Sequence, residues 1–247
     1  QDGIRDSVAS RGLGDVYKRQ VRGFRMTMGS SIYKNYYPDT DELFVTRLRK
    51  MGVVILGKTN TPEFGAGSQT FNEVFGATVN PYNTEKTCGG SSGGAAVAAA
   101  LGMGVVHLGT DGGGSIRIPA AFCGIFGFKA SAGRVPLYPP SPFGTLAHVG
   151  PLARKVSDVA AFLDVISEAD NRDSFSLPYE KQNYKSSLNT NIEGLRIAYS
   201  PNLGYASVDN DICLLYTSPS PRDATLSRMP GAAGKKKRGR RGGGGGG

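Results

Sequence analysis

The sequence predicts an α/β protein, a mixed β-sheet sandwiched between helices, and three stretches carry that reading. Residues 41–57 run helix, glycine, apolar strand; residues 94–109 run small-residue helix, then apolar strand; a further helix begins near Ser157. Helical segments alternating with short apolar runs are the pattern of layered α/β folds.

Taken in chain order, Thr40 or Asp41 is placed to cap a first helix. Its Leu43, Phe44, Leu48 and Met51 share one face, and Gly52 stops it. VVILG at 53–57 follows as a buried strand. Gly94–Met103 is rich in small residues, so its helix packs tightly, and Val105–Gly109 reads as a second buried strand. Ser157 is placed to cap a helix carrying Val159, Phe162, Leu163 and Ile166. After Gly194, LRIAY is the last predicted strand.

Charge says less than its total suggests. The net charge of +9 sits mostly in residues 213–247, above all in KKKRGRR at 235–241, while residues 21–212 hold 17 Lys/Arg against 16 Asp/Glu. A near-neutral body gives no case for binding nucleic acid or a membrane surface. No segment approaches the roughly 18 apolar residues of a membrane span. Three cysteines without CxxC spacing suit a reducing compartment and predict a cytoplasmic protein. His107 and His148 have no Cys or carboxylate cluster beside them, which argues against a metal site. His107, on an apolar strand, reads as a core histidine with its hydrogen bonds satisfied.

Chemistry must then come from two glycine-wrapped serine clusters, TCGGSSGG at 87–94 and GTDGGGSIR at 109–117. Gly89–Gly93 matches the GxSxG nucleophile elbow, with Asp111 and His148 as available partners, but the elbow needs a strand before it and NPYNTEKTC is polar and turn-rich. A phosphate-cradling loop lacks the GK[ST] that would follow it. Two tight turns with close packing remain the bland alternative.

The combination is more specific than either cluster. GGSSGG, a small-residue helix and then GTDGGGSIRIPAAFCGIFGFK resemble the signature of the amidase signature family of serine hydrolases. GKTNTPEFG at 57–65, FGATVNPYN at 75–83 and GPLARKVSDVA at 150–160 extend the resemblance over about residues 21–200. The form of TNTPEFG and of NPYNTEKTCGGSSGG is more similar to stand-alone amidases than to the A subunit of glutamyl-tRNA amidotransferase, which stays as the alternative. A non-catalytic binding or remnant protein is the alternative from another class. The resemblance implies hydrolysis of a carboxylic amide, a small-molecule amide substrate, no metal and no organic cofactor; a homodimer is left open.

It also implies roles. Ser115 is the nucleophile, and Ser91, after a cis peptide at Gly90, bridges it to a lysine. Ser92 holds that turn. A serine hydroxyl is a poor nucleophile until a base takes its proton, so a hydroxyl relay to a neutral lysine meets the need. The oxyanion formed on attack needs unobstructed N–H donors, which Gly112, Gly113, Gly114 and the Ser115 amide supply. Many relatives carry a larger residue where this chain has Gly112, which predicts a looser loop. Asp111 is expected to bond the glycine turn and Arg117 to form a structural ion pair. Met28, Gly29 and Ser30 are expected to line the acyl side of the site.

The ends read differently. Residues 1–20 and 213–247 lack periodicity, and GLGDVYKRQ and CLLYTSPSPRD resemble translated sequencing-adapter read-through. Both segments are therefore expected to be non-native, leaving 21–212 as a partial amidase domain whose fold is incomplete. In the family the lysine lies seven residues before the glycine matched by Gly23. That position holds Val16 here, and Lys18 is two residues out of register. The chain as given is expected to be inactive.

Overall fold

A computed structural model describes residues 20–178, 183–191, 193–194, 196, 200 and 202–209. The chain forms two compact units, Gln1–Leu188 and Asn189–Gly247. In the second, Asn202 turns the backbone: its carbonyl accepts from the amides of Tyr205 and Ala206, and its side chain accepts from Gly204. The strand predicted at LRIAY falls almost wholly outside the described residues.

The first unit holds the elements that build the site. Helix α1 (Leu43–Lys50) buries Leu43, Phe44, Val45 and Leu48, and Gly52 ends it at φ +77°. Its N-cap is Glu42, without a side-chain capping bond, and not Thr40 or Asp41. Asp41 is engaged elsewhere: its carboxylate accepts from the Arg22 amide at 2.7 Å and pairs with Arg49 at 2.9 Å. Residues 53–57 are not the buried strand expected. Only Ile55 among them carries a bridge, and Val53 is buried while Val54 and Leu56 are about half exposed. The apolar run thus covers one face only.

Two short strands, β1 (Phe71–Asn72) and β2 (Gly76–Ala77), make an antiparallel hairpin. Helix α2 (Gly93–Ala100) leads into β3 (Val106–Asp111), then helix α3 (Arg117–Phe122) and β4 (Phe126–Gly127). Strand β5 (His148–Ala153), α4 (Val156–Ile166) and the short α5 (Tyr184–Ser187) follow. Helix α4 starts from Lys155 rather than from a Ser157 cap.

Among the described residues the main sheet runs β3–β5–β4, with both pairings antiparallel and Asp111 opposite His148. One face of the sheet presents Val106, Leu108, Val149 and Ala153 to a core shared with Phe44, Leu48, Phe162 and Ile166. The other presents Leu152 to Ala95, Ala96 and Ile116. Helices on both faces explain why β3 is buried along nearly its whole length and not at alternate residues. Gly109 lies on the α2 face, where an added Cβ would sit 2.7 Å from the Ser92 hydroxyl, so glycine here lets the serine loop approach the strand.

His107 corrects one expectation. It is fully buried, but among the described residues neither ring nitrogen has a partner with hydrogen-bond geometry. Burial lowers its pKa from the ordinary 6.5 to about 4; Arg154 adds to the effect, and the nearby Gly104 backbone opposes it. The unfolded chain therefore binds the proton more tightly than the folded one. The stability of the neutral form is complete above pH 6.5 and is lost as pH falls towards 4. At 1.36 kcal/mol per pH unit the loss is about 3 kcal/mol. Replacement His107→Leu should flatten that part of the stability–pH curve in chemical denaturation. An unchanged slope between pH 4 and 6.5 would refute the assignment.

Candidate active site

Both serine clusters lie where secondary structure begins or ends. Ser91 and Ser92 immediately precede α2, and Gly112–Ser115 follow the carboxyl end of β3 and lead into α3. The two loops are joined directly. The Ser92 amide donates to the Ser115 carbonyl at 3.1 Å. The Ser92 hydroxyl accepts from the Thr110 amide at 3.2 Å and lies 3.3 Å from its carbonyl.

The peptide between Gly90 and Ser91 is cis. Thr70, which no motif singled out, holds this turn. Its hydroxyl donates to the Gly89 carbonyl at 2.9 Å and accepts from the Gly93 amide at 3.1 Å. Gly90 packs on the backbone of Gln69, where an added Cβ would sit at 2.8 Å. Backbone cannot rotate away as a side chain can, so Gly90→Ala should cost about 1–3 kcal/mol by overpacking. A denaturation midpoint equal to the parent's would show that the loop yields.

Asp111 organises the second loop. Its side chain is fully buried. It accepts from the Gly114 amide at 2.7 Å, from the Ile116 amide at 3.2 Å, and from Arg117 through two bonds of 3.0 Å. Burial pushes its pKa up, but the Arg117 guanidinium and the two amides outweigh burial and hold it at about 2. One expected role changes as a result. The Gly114 N–H is committed to Asp111 and is not a free donor to an oxyanion. Gly114 instead serves the backbone, at φ +112° with Ile118 against the space a side chain would need.

Ser91, Ser115, Gly112 and Gly113 line one cleft of about 590 Å³. Ser91 is buried and Ser115 half-buried. Met28 lines the cleft as well; Gly29 and Ser30 do not, and Ser30 is buried with its hydroxyl unpartnered among the described residues. Further lining comes from a segment whose role the motifs did not reveal: Pro139, Pro142, Phe143 and Leu146. His148 does not complete a nucleophile elbow. Its Nδ1 lies 3.1 Å from the Asp111 backbone carbonyl, not from the carboxylate, and no strand leads into Gly89. Burial raises the pKa of Cys88, and Cys123 is pushed up to about 12 by burial and by Cys88, so neither is a ready thiolate. Among the described residues no three His, Cys, Asp or Glu cluster as metal ligands, and no helix is long and apolar enough to cross a membrane. Val16 and Lys18 lie outside the described residues.

Comparison with known proteins places this arrangement. A model of the amidase family matches residues 18–218, and the chain belongs to that family. It is 48% identical over 176 residues to the A subunit of the glutamyl-tRNA(Gln) amidotransferase of Carboxydothermus hydrogenoformans, covering 71% of this chain and 36% of that protein. It is 46% identical over 178 residues to the corresponding protein of Lachnoclostridium phytofermentans, covering 72% and 36%. A crystal structure of a bacterial aryl acylamidase of the amidase signature enzymes superposes with a TM-score of 0.75 at 34% identity, over 83% of this chain and 43% of that one. The chain thus spans well under half the length of these relatives.

Proposed function

We propose that this chain is part of an enzyme that hydrolyses a carboxylic amide through an acyl-enzyme on Ser115. The observation that carries the reading is the meeting of two hydroxyl-bearing loops at one cleft, which Ser91, Gly112, Gly113 and Ser115 all line. In the reaction the Ser115 Oγ attacks the amide carbonyl while its proton passes to Ser91 and on to a base. The Gly112 and Gly113 amides receive the developing oxyanion. Collapse of the tetrahedral intermediate expels the amine, which takes the proton, and water then releases the acid by the reverse transfer. No Lys, Arg or His is found among the described residues lining the cleft. The lysine that the family uses as base is therefore not among them. No metal and no organic cofactor is needed for any step.

The identity to the amidotransferase relatives supports a second reading, in which the amide is glutamine and the ammonia passes to a partner protein. The protein with its natural flanking sequence, assayed on aryl amides, aliphatic amides and glutamine, separates the two. Turnover of simple amides by the isolated chain supports the stand-alone amidase. Glutamine hydrolysis that appears only with partner proteins supports the amidotransferase. Inactivity on every amide, with the fold intact, would remove both.

A further inference from the structure

We propose that Gly112 sets the size of the acyl group this cleft accepts, and that the group is bulky, apolar and not anionic. The proposal rests on the amide-hydrolase reading above and names the substrate class of that site. Glycines near the site are of two kinds. At Gly29, Gly90, Gly109 and Gly114 an added Cβ would meet other atoms at 2.9, 2.8, 2.7 and 2.8 Å, and Gly29 and Gly114 also hold φ of +68° and +112°. Packing or backbone conformation accounts for glycine at each of them.

Gly112 needs glycine for neither reason. Its φ is not positive, and an added Cβ would meet only the Leu146 carbonyl, at an ordinary contact of 3.5 Å. It is exposed on the cleft wall, three residues before Ser115. The volume its side chain would take is therefore left open to whatever occupies the cleft. The surrounding wall draws apolar surface from Met28, Phe64, Pro142, Phe143 and Leu146, with the carboxylates of Glu42 and Asp111 also among its residues. A carboxylate on the substrate would meet no cation among the described lining residues, whereas an aryl or branched acyl group would bury its surface. One methylene more or less in an apolar pocket discriminates by about 10–200-fold.

The test compares Gly112→Ala and Gly112→Val with the parent, in the protein with its natural flanking sequence. Substrates are the p-nitroanilides of acetate, isobutyrate and benzoate. The valine variant should lose about 10–200-fold in kcat/KM on the isobutyryl and benzoyl substrates. Any loss through the oxyanion donor is common to all three substrates, so the benzoyl-to-acetyl ratio of kcat/KM should itself fall by about 10–200-fold, with alanine intermediate. Equal loss on all three would mean that the backbone, not the side-chain space, was disturbed, and would overturn the proposal. No change on any of them would also overturn it. Should the valine variant fail to fold, the alanine variant carries the comparison, because its single methyl fits the 3.5 Å contact.

A parent that cleaves no amide would defeat the hydrolase reading, and binding then decides the size question separately. Saturation-transfer NMR with benzamide and with glutamine is the measurement. Benzamide bound by the parent, lost in Gly112→Val, and preferred to glutamine sustains the proposal. Equal benzamide binding by both proteins, no benzamide binding by the parent, or preference for glutamine overturns it.

Discussion

In the protein with its natural flanking sequence, replacing Ser115 with alanine should abolish formation of the acyl-enzyme, with a loss on the order of 10⁶ in kcat. The size of the effect follows from the site's construction. Hydroxyls acting in series with one base fail together, so removing the nucleophile costs about as much as removing the whole relay. Ser92 is no substitute: its hydroxyl is fully buried and engaged with Thr110. Ser91 shares the cleft with Ser115, but it precedes α2 on the other loop and not the Gly112–Gly113 donors. Ser91→Ala should therefore be severely impaired yet keep a trace of activity, since water can carry the proton poorly. A fluorophosphonate probe should label Ser115 in the parent and nothing in Ser115→Ala. Labelling of Ser91 or Ser92 in that variant would show that the nucleophile had been misassigned. Because Ser115 is half-buried and only its backbone carbonyl joins the Ser92 loop, the variant should fold normally.

What could be read in advance depended on how local its cause was. Helix α1 was legible because its apolar face repeats at helical spacing and Gly52 supplies the left-handed residue that ends it. The same holds for α4 and for the apolar strand at Val106. Caps were less legible. Asp41 is a good capping residue, but Arg22 and Arg49, distant in sequence, engage its carboxylate. The run at 53–57 looked buried because apolarity does not say how many faces are covered. In the site, Ser91, Ser115 and the Gly112–Gly113 pair stood out by motif, and they line one cleft. Two features did not, because each is tertiary: the Thr70 hydroxyl under the Ser91 turn and the Phe143–Leu146 wall. That Asp111 would bond the glycine turn was expected, but not that the bond takes the Gly114 amide out of the set of free donors. His107 carried no sequence sign that its nitrogens would go unpaired.

Removing the Asp111 carboxylate should be the most damaging change that leaves both serines in place. Asp111→Ala strands the amides of Gly114 and Ile116 and the Arg117 guanidinium around a buried hole. Breaking a buried pair costs about 3–5 kcal/mol. The lower end applies, since the Arg117 side chain is 56% exposed and rehydrates when released. Activity should fall with stability but for a separate reason. Once the Gly114 amide is free, the loop no longer fixes Gly112 and Gly113, and an oxyanion donor displaced by even 1 Å can cost about 10² in rate. Asp111→Asn should lie between. It keeps the side chain's shape and one acceptor oxygen but turns an NH₂ towards groups that are themselves donors. Acid should reproduce part of the effect in the parent. The folded pKa of about 2 lies below the ordinary 3.8, so the carboxylate's contribution is complete above pH 3.8 and disappears as pH falls towards 2. The measurement is chemical denaturation of parent, Asp111→Asn and Asp111→Ala at pH 7, with kcat and KM on the best amide. A loss of kcat in Asp111→Asn larger than its loss of stability predicts, with KM little changed, would mark the carboxylate as holding the donors in register. If both variants instead matched the parent in stability, the buried network around Gly114 would not be what shapes this loop.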